Sequence, residues 1–333
     1  MRRRALSTLR VTDLMHAATK ARLTAIADDV TSDEGARLES GLPVAAPTAR
    51  SAATHWDFDA PSYVIDSFIS TAFPECPHDS LIRIHKAVVA RLALEHFAPE
   101  DELAPSVIDR YPAFFERLAQ FLSHSPDRGY RFGFFVKDVR YALGLTVPCG
   151  LVQLDLRYRI GPKLVLRDIR RSGSARVGWN YVAASAWGRW YNTHIDSRDM
   201  SEFSPTGWTQ SFSRIADMLE INRAVCGAAG VSWYYDPKVG DISPNLAYLR
   251  RNQVENGAFS LRLGPGAQHT ANALYASRPR QTLYEAGKYL PAGFLIAWPR
   301  SRLIAWTRSA DRAAEIERAA LPSGATLAHY APD

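Results

Sequence analysis

Apolar residues recur every three or four positions along the first half of the chain, a period typical of amphipathic helices. One such stretch begins after Asp79 or Ser80, either of which can cap a helix, and its apolar positions are Leu81, Ile84, Val88 and Leu92. A second helix is predicted from about Ser106 to Ser123, with Pro112 expected to kink its first turns. The first half is therefore predicted to be helical.

After Asp127 the pattern changes to alternation of apolar and polar residues, which is typical of half-buried strands. Residues 150–158 alternate in this way, and a turn at Gly161 and Pro162 predicts that residues 163–169 return as the partner strand. Further strands are predicted over 182–191, 231–235, 258–263 and 294–298. Between them we expect an amphipathic helix from Trp208 to Cys226, stopped by Gly227 and Gly230, and a short helix over 245–256.

These elements predict an α/β (α+β) fold in which helices flank a mixed sheet, with a helical part at the N-terminus. Composition divides the chain further, because residues 30–61 are rich in Ala, Ser, Thr, Pro and Gly and lack apolar periodicity. We expect an N-terminal helix over 1–29, a flexible linker over 30–61, a helical subdomain over 62–145 and a mixed-sheet domain over 146–333.

The composition is that of a globular protein, since 47% of the 333 residues are hydrophobic and 22% are charged. No apolar run reaches the ~18 residues of a membrane-spanning helix. The 40 basic residues are dispersed along the chain, which gives nucleic-acid binding little support, but their Arg excess favours an anionic small-molecule partner. Three unpaired cysteines and the absence of a secretory apolar segment favour a cytoplasmic protein.

The sharpest polar cluster surrounds His194 and Asp196, which point to the same side of a strand at period two. A carboxylate beside a histidine fixes its tautomer and lets it act as a base, and Arg198 follows as a substrate contact. His269 completes a candidate catalytic group. With iron bound, the same three residues would form a facial triad, a pattern that resembles Fe(II)/2-oxoglutarate dioxygenases, with Arg278 or Arg280 holding the 2-oxo acid.

A second group of candidates contacts the substrate. Trp233, Tyr235 and Asp236 end a predicted strand, where aromatic walls beside a carboxylate are a usual pocket lining. The same residues also suit a core strand followed by an Asp-Pro turn. Arg278 and Arg280 would steer an anionic ligand if they converge on this pocket.

The order of elements over residues 146–300 resembles the GCN5-related N-acyltransferase fold, as does the local sequence NLAYL at 245–249 followed by Gly257-Ala-Phe259. The resemblance implies transfer of an acyl or aminoacyl group, with acyl-CoA as donor, to an amine of a small anionic acceptor. His194, helped by Asp196, would take the amine proton. In that family closely spaced glycines open the central helix and hold the pyrophosphate; residues 197–208 contain only Gly207, together with Asp199 and Glu202.

The segments GVSWYYDP (230–237), SPNLAYLR (243–250), LYEAGKYLP (283–291) and WPR (298–300) also resemble a family of uncharacterised bacterial proteins, which implies no function. Three hypotheses follow. The first is an N-acyltransferase, the second an iron-dependent oxygenase, and the third a non-catalytic module that binds a small anion or a partner. All three expect no nucleic acid and no membrane, and leave the oligomeric state open.

Overall fold

The computed structural model describes residues 14–309, apart from 55, 56, 125–129, 131, 174, 199 and 276. Its first half is helical, as the apolar periodicity predicts. The helices are α1 (Ala17–Ala27), α2 (Ser32–Ala52), α3 (Ala60–Ala72), α4 (His78–Glu95), α5 (Pro105–Ile108), α6 (Tyr111–His124) and α7 (Phe132–Ala142). Pro112 marks the start of α6 rather than a kink, so the stretch expected as one helix forms two.

The segment expected as a flexible linker is mostly helix, because α2 fills residues 32–52 of it. Thr31 and Glu34 form a capping box at its start. The Glu34 amide donates to the Thr31 hydroxyl, and the Glu34 carboxylate accepts from the Thr31 amide at 2.7 Å. Leu38, Leu42 and three alanines are buried. Four of the six buried residues of this helix are glycine or alanine, which is why hydrophobic periodicity missed it. Residues 1–13 of the expected N-terminal helix lie outside the described residues.

Among the described residues, six strands form one mixed sheet, which confirms the predicted fold class. The strands are β1 (Thr146–Pro148), β2 (Val152–Tyr158), β3 (Arg189–Ile195), β4 (Val225–Ser232), β5 (Phe259–Gly264) and β6 (Gly293–Pro299). Their order across the sheet is β1-β2-β3-β4-β6-β5. Neighbours pair antiparallel except β3 and β4, which run parallel. A parallel pair needs a crossover, and α10 (Pro205–Ile221) lies within it.

Seven further helices surround the sheet in the part of the chain that the structure describes: α8 (Pro162–Ser172), α9 (Arg176–Ala183), α11 (Pro237–Ile242), α12 (Tyr248–Glu255), α13 (Ala267–Leu274), α14 (Arg278–Glu285) and α15 (Arg300–Arg308). The partner strand predicted over 163–169 is wrong, since α8 occupies it. Pro162 opens that helix. Gly173 closes it in the left-handed conformation, at φ 67°. The strand predicted over 182–191 begins only at residue 189, and the one predicted over 231–235 ends at Ser232.

Gly227 and Gly230 do not stop α10, which ends earlier, at Ile221; both lie within β4. Their role is close packing. A Cβ at Gly227 would lie 2.2 Å from the Trp298 carbonyl oxygen, and one at Gly230 would lie 2.2 Å from the Thr193 hydroxyl. The two glycines therefore let neighbouring strands approach closely. The local sequence cannot show this role, because the residues they contact are distant in the chain.

The sheet separates two apolar clusters. Alternate residues of β3 belong to different ones: Tyr191 joins the cluster that includes the N-terminal helices, and Trp190 joins the cluster under α8 and α9. The first cluster runs from Leu14 to Trp306, so the helical part and the sheet share one core. None of the helices that the structure describes has the length and apolar character needed to cross a membrane.

Candidate functional site

The end of β3 places an imidazole beside a buried carboxylate, but the carboxylate comes from β2. Asp155 lies opposite Asn192 in the antiparallel pair, so the diagonal neighbour on the same face is His194. The His194 Nδ1 lies 3.3 Å from the Asp155 Oδ2, close enough for an electrostatic contact but without the geometry of a hydrogen bond. The Asp155 side chain is 1% exposed and that of His194 is 19% exposed.

Asp155 receives donors on both of its oxygens. The Thr146 hydroxyl and the Arg140 guanidinium, at 3.4 Å, donate to Oδ1, and the Asn192 amide donates to Oδ2 at 3.1 Å. Burial alone would raise the pKa of Asp155, but Arg140, His194 and Thr146 together hold the pKa well below its usual range. The carboxylate therefore stays ionised at neutral pH.

The other ring nitrogen of His194 faces no partner among the described residues. This Nε2 is buried and without a hydrogen bond to any of them. The ring of Phe58 packs edge-on against the imidazole, at 5.8 Å between centroids, and also covers Arg140, whose guanidinium lies 4.2 Å from the Phe58 centroid. An imidazole oriented on one side by an ionised carboxylate and unpartnered on the other can act as a general base.

The sheet beside His194 is open to solvent. Thr193 pairs with Gly230 of the parallel neighbour, so the next residue of β4, Val231, lies beside His194 on the same face. Val231 is 38% exposed, unusual for an apolar residue in the middle of a sheet. A substrate can therefore reach the surface of β4 beside the imidazole, although the Nε2 itself is covered in this conformation.

Asp196, expected as the partner of His194, belongs to a different group. β3 ends at Ile195, so the period-two argument does not reach residue 196. Asp196 accepts from Arg198 at 2.8 Å and from the Tyr141 hydroxyl at 3.1 Å. Burial would raise its pKa, but Arg198 and then Lys137 hold the pKa of Asp196 well below its usual range.

Arg198 forms ion pairs with two buried carboxylates. It donates to Asp138 at 2.7 Å as well as to Asp196, and its guanidinium lies between the rings of Phe121 and Phe134, at 4.6 and 4.8 Å. These carboxylates raise the pKa of Arg198 above its usual range against the effect of burial. Such a group holds α7 to the end of β3, and Arg198 has little freedom to bind a substrate.

His269 lies on the same face as His194 but two strands away. A Cβ at Gly293 would lie 2.2 Å from the His269 Nε2, so this imidazole covers the start of β6. Because β4 lies between β3 and β6 in the sheet, these two strands are separated by about 10 Å, twice the usual strand spacing. Burial lowers the pKa of His269.

These separations leave the iron hypothesis without a site. Within the described parts of the chain, no group of three or more His, Cys, Asp or Glu side chains could hold a metal ion. His194, Asp196 and His269 each have different surroundings, so the facial triad expected from the sequence is not formed.

The predicted substrate contacts are brought partly together. The Arg280 guanidinium stacks on Trp233 at 4.7 Å and donates to the Ser243 hydroxyl at 2.8 Å. Asp236 caps α11 by accepting the Lys238 amide at 3.0 Å, as an Asp-Pro turn would. Tyr235 is buried and accepts from the Gln253 amide at 3.4 Å. Arg278, the first residue of α14, is exposed.

The start of α10 does not fit a pyrophosphate. The Ser204 hydroxyl already accepts the Gly207 amide at 3.1 Å, and Pro205 supplies no amide hydrogen. A Cβ at Gly207 would lie 2.0 Å from the Glu202 carbonyl oxygen, and the Glu202 carboxylate pairs with Arg110. The preceding turn therefore fills the space that a ligand phosphate would need.

No family model matches the chain, and no curated protein matches it. Among solved structures, an acyltransferase mutant in complex with octanoyl-CoA is similar with a TM-score of 0.41 and 11% identity, over 87% of this chain and 93% of that one. An acyltransferase in complex with decanoyl-CoA and teicoplanin gives the same values. A third, an acyltransferase with CoA and 10C-teicoplanin, has a TM-score of 0.36 and 11% identity, over 84% and 99% of the two chains.

Proposed function

We propose that this chain is an acyl-group transferase in which His194 is the general base. The observation that carries the proposal is the imidazole itself, which lies beside the exposed Val231 with its Nδ1 3.3 Å from the ionised Asp155. Both ring nitrogens are buried, and neither makes a hydrogen bond to a described residue. The succession of β3, the helix α10 and β4 along the chain agrees with the order of elements on which the resemblance to N-acyltransferases rests. Fold alone would not assign a reaction, so the site residues carry the argument.

The reaction joins an amine to the acyl carbon of a thioester. The amine nitrogen attacks the carbonyl carbon, and the His194 Nε2 takes the proton that the nitrogen loses as the new carbon–nitrogen bond forms. The carbon–sulfur bond then breaks, and the departing thiolate recovers a proton from the imidazolium. The products are an amide and a free thiol. Asp155 stabilises the imidazolium between these two steps, because its negative charge faces Nδ1.

The donor in this proposal is an acyl thioester such as acyl-CoA. Since the start of α10 does not fit a pyrophosphate, the phosphate-bearing end of such a donor would be held elsewhere. The acceptor is an amine that carries negative charge elsewhere in the molecule. Of the two predicted steering arginines, Arg278 suits this role because it is exposed, whereas Arg280 is buried against Trp233.

The test measures release of free thiol from acetyl-CoA and longer acyl-CoA donors with a panel of small amines. His194→Gln is expected to lower the rate by about 10²–10⁴-fold, the usual contribution of a general base. His124→Gln is the matched control, since His124 is exposed at the end of α6. The melting temperature of each variant shows that the fold is intact.

Two results would contradict the proposal. One is thiol release by His194→Gln within twofold of the unmodified chain. The other is the absence of acyl transfer from every donor and acceptor in the panel.

A further inference from the structure

An arginine-lined groove lies at the opposite end of the sheet from His194. Its cavity volume is about 820 Å³, and it is bounded by the starts of β4 and β5, the end of β6 and the helix α9. Among the described residues, four arginines line it and no acidic residue does: Arg176, Arg223, Arg300 and Arg302. A second hollow of about 630 Å³ adjoins it, shares Arg223, Arg300 and Ser301 with it, and is also lined by Glu220.

The guanidiniums of this groove come from separate elements. Arg223 precedes β4 and is exposed, while Arg300 and Arg302 belong to the first turn of α15. Arg300 donates its Nε to the Leu219 carbonyl at 2.8 Å, which fixes the stem. No described side chain caps the start of α15, so its first amides add to the positive potential. Several guanidiniums lining one groove provide the donors that the oxygens of a phosphoryl group require.

The remainder of the groove is not simply a charged surface. Val177 and Phe259, which pack in the same apolar cluster, form an apolar wall, and Val254 and Pro299 add apolar lining elsewhere in the groove. The buried Ser260 hydroxyl, also in the lining, has no hydrogen-bond partner in the part of the chain that the structure describes. An apolar wall beside a cationic edge suits an organic molecule that carries phosphates, and the volume is that of a small-molecule site.

One lining residue has a strained backbone. Ser185 has a φ of 48°. This left-handed conformation costs free energy in a non-glycine residue, and such strain is found preferentially at functional sites.

We propose that this groove binds an organic diphosphate of the size of a nucleoside diphosphate. The site is separate from the candidate catalytic residue, because β3 extends from Arg189, at the groove end, to Ile195, beside His194. At the usual rise per residue this strand covers about 20 Å. Binding to this groove can therefore be measured separately from acyl transfer.

The experiment measures binding of ADP, and separately of inorganic phosphate, to the full chain by calorimetry. The tested variant is the double substitution Arg223→Gln with Arg302→Gln, because both side chains are exposed and can be changed without opening the core. The matched control is Arg167→Gln with Arg170→Gln, which removes the same charge from exposed positions of α8.

ADP is expected to bind more tightly than inorganic phosphate, since the apolar wall contacts the base, and the groove variant should weaken ADP binding about tenfold or more. The control pair should change it less than twofold. The proposal is overturned if ADP at millimolar concentration does not bind, if the control pair weakens binding as much as the groove pair, or if phosphate binds as well as ADP.

Discussion

Replacing Asp155 by Asn removes a negative charge that faces three hydrogen-bond donors and the His194 imidazole, all of them buried or half-buried. Thr146 and Arg140 face one carboxylate oxygen, while Asn192 and His194 face the other. An amide has one oxygen and one NH₂ group in place of the two oxygens, so in either orientation its NH₂ group meets a donor. The Arg140 side chain, only 3% exposed, also loses its carboxylate.

The expected loss of stability follows from that arrangement. Removing one partner of a buried ion pair and leaving the other charged costs about 3–5 kcal/mol. The loss depends on pH, because the folded pKa of Asp155 is lowered from an unfolded value of about 3.9. The stabilisation that the ionised Asp155 provides is fully present at pH values above its pKa in the unfolded chain. It is lost as the pH falls through its pKa in the folded protein. By pH 3 the gap between variant and unmodified chain should shrink by about 1 kcal/mol.

The assay is urea unfolding at pH 7 and pH 3, with Asp241→Asn as the control. Asp241 is exposed, so its substitution should change the free energy of unfolding by less than about 0.5 kcal/mol at pH 7. The reasoning is refuted if Asp155→Asn unfolds within about 0.5 kcal/mol of the unmodified chain, the same range as neutral substitutions. A destabilisation that stays constant between the two pH values would also refute it.

Two further predictions concern the fold and its thiols. Gly207→Ala should lower the free energy of unfolding by about 2 kcal/mol or more, the cost of overpacking, because the new Cβ meets the Glu202 carbonyl. Gly240→Ala in α11 is the control and should be neutral or stabilising, because the nearest atom to its new Cβ is 3.6 Å away. If urea unfolding shows the same loss of stability for both substitutions, the packing described at Gly207 is contradicted. Burial raises the pKa of Cys149 to about 12. At pH 8 mass spectrometry should therefore find Cys149 unmodified by iodoacetamide in the folded protein while Cys76 reacts, and equal labelling would argue against the buried thiol.

The sequence predicted correctly those helices and strands whose own hydrophobic pattern determines their structure. The helix at Leu81–Leu92 and the strands around 150–158, 258–263 and 294–298 are found, because burial of one face fixes both period and type. The segment at 163–169 failed because its apolar residues fit either period, and packing against β5 selects the helix. Asp168 shows this contact, since its carboxylate accepts the Arg262 amide at 2.9 Å.

The candidate site was only half predictable for a related reason. His194 lies at the end of a strand as expected, but its carboxylate partner is 39 positions earlier in the chain, on a neighbouring strand. The strand pattern gave no signal, because Asp155 occupies a polar position of the alternating strand at 150–158, where a solvent-facing side chain is expected, and yet it is buried. A buried Asp requires a partner, yet only the register of β2 with β3 identifies which residue supplies it.

The arginine-lined groove was even less predictable from the sequence than the candidate site. Arg223 is separated by a large part of the chain from Arg300 and Arg302, and the three form no motif. They meet because β4 begins where β6 ends, in an antiparallel pair that joins Gly227 to Pro299. Long-range strand pairing creates this site, so local sequence could not reveal it.

The protonation of the His194 ring tests the central claim most directly. Nitrogen-15 spectra of histidine-labelled protein, with the resonance assigned by its loss in His194→Gln, should show the neutral ring carrying its proton on Nδ1, toward Asp155, and a bare Nε2. Asp155→Asn should move that proton to Nε2. A neutral ring already protonated at Nε2, or one unchanged by Asp155→Asn, would contradict His194 as a base held ready by this carboxylate.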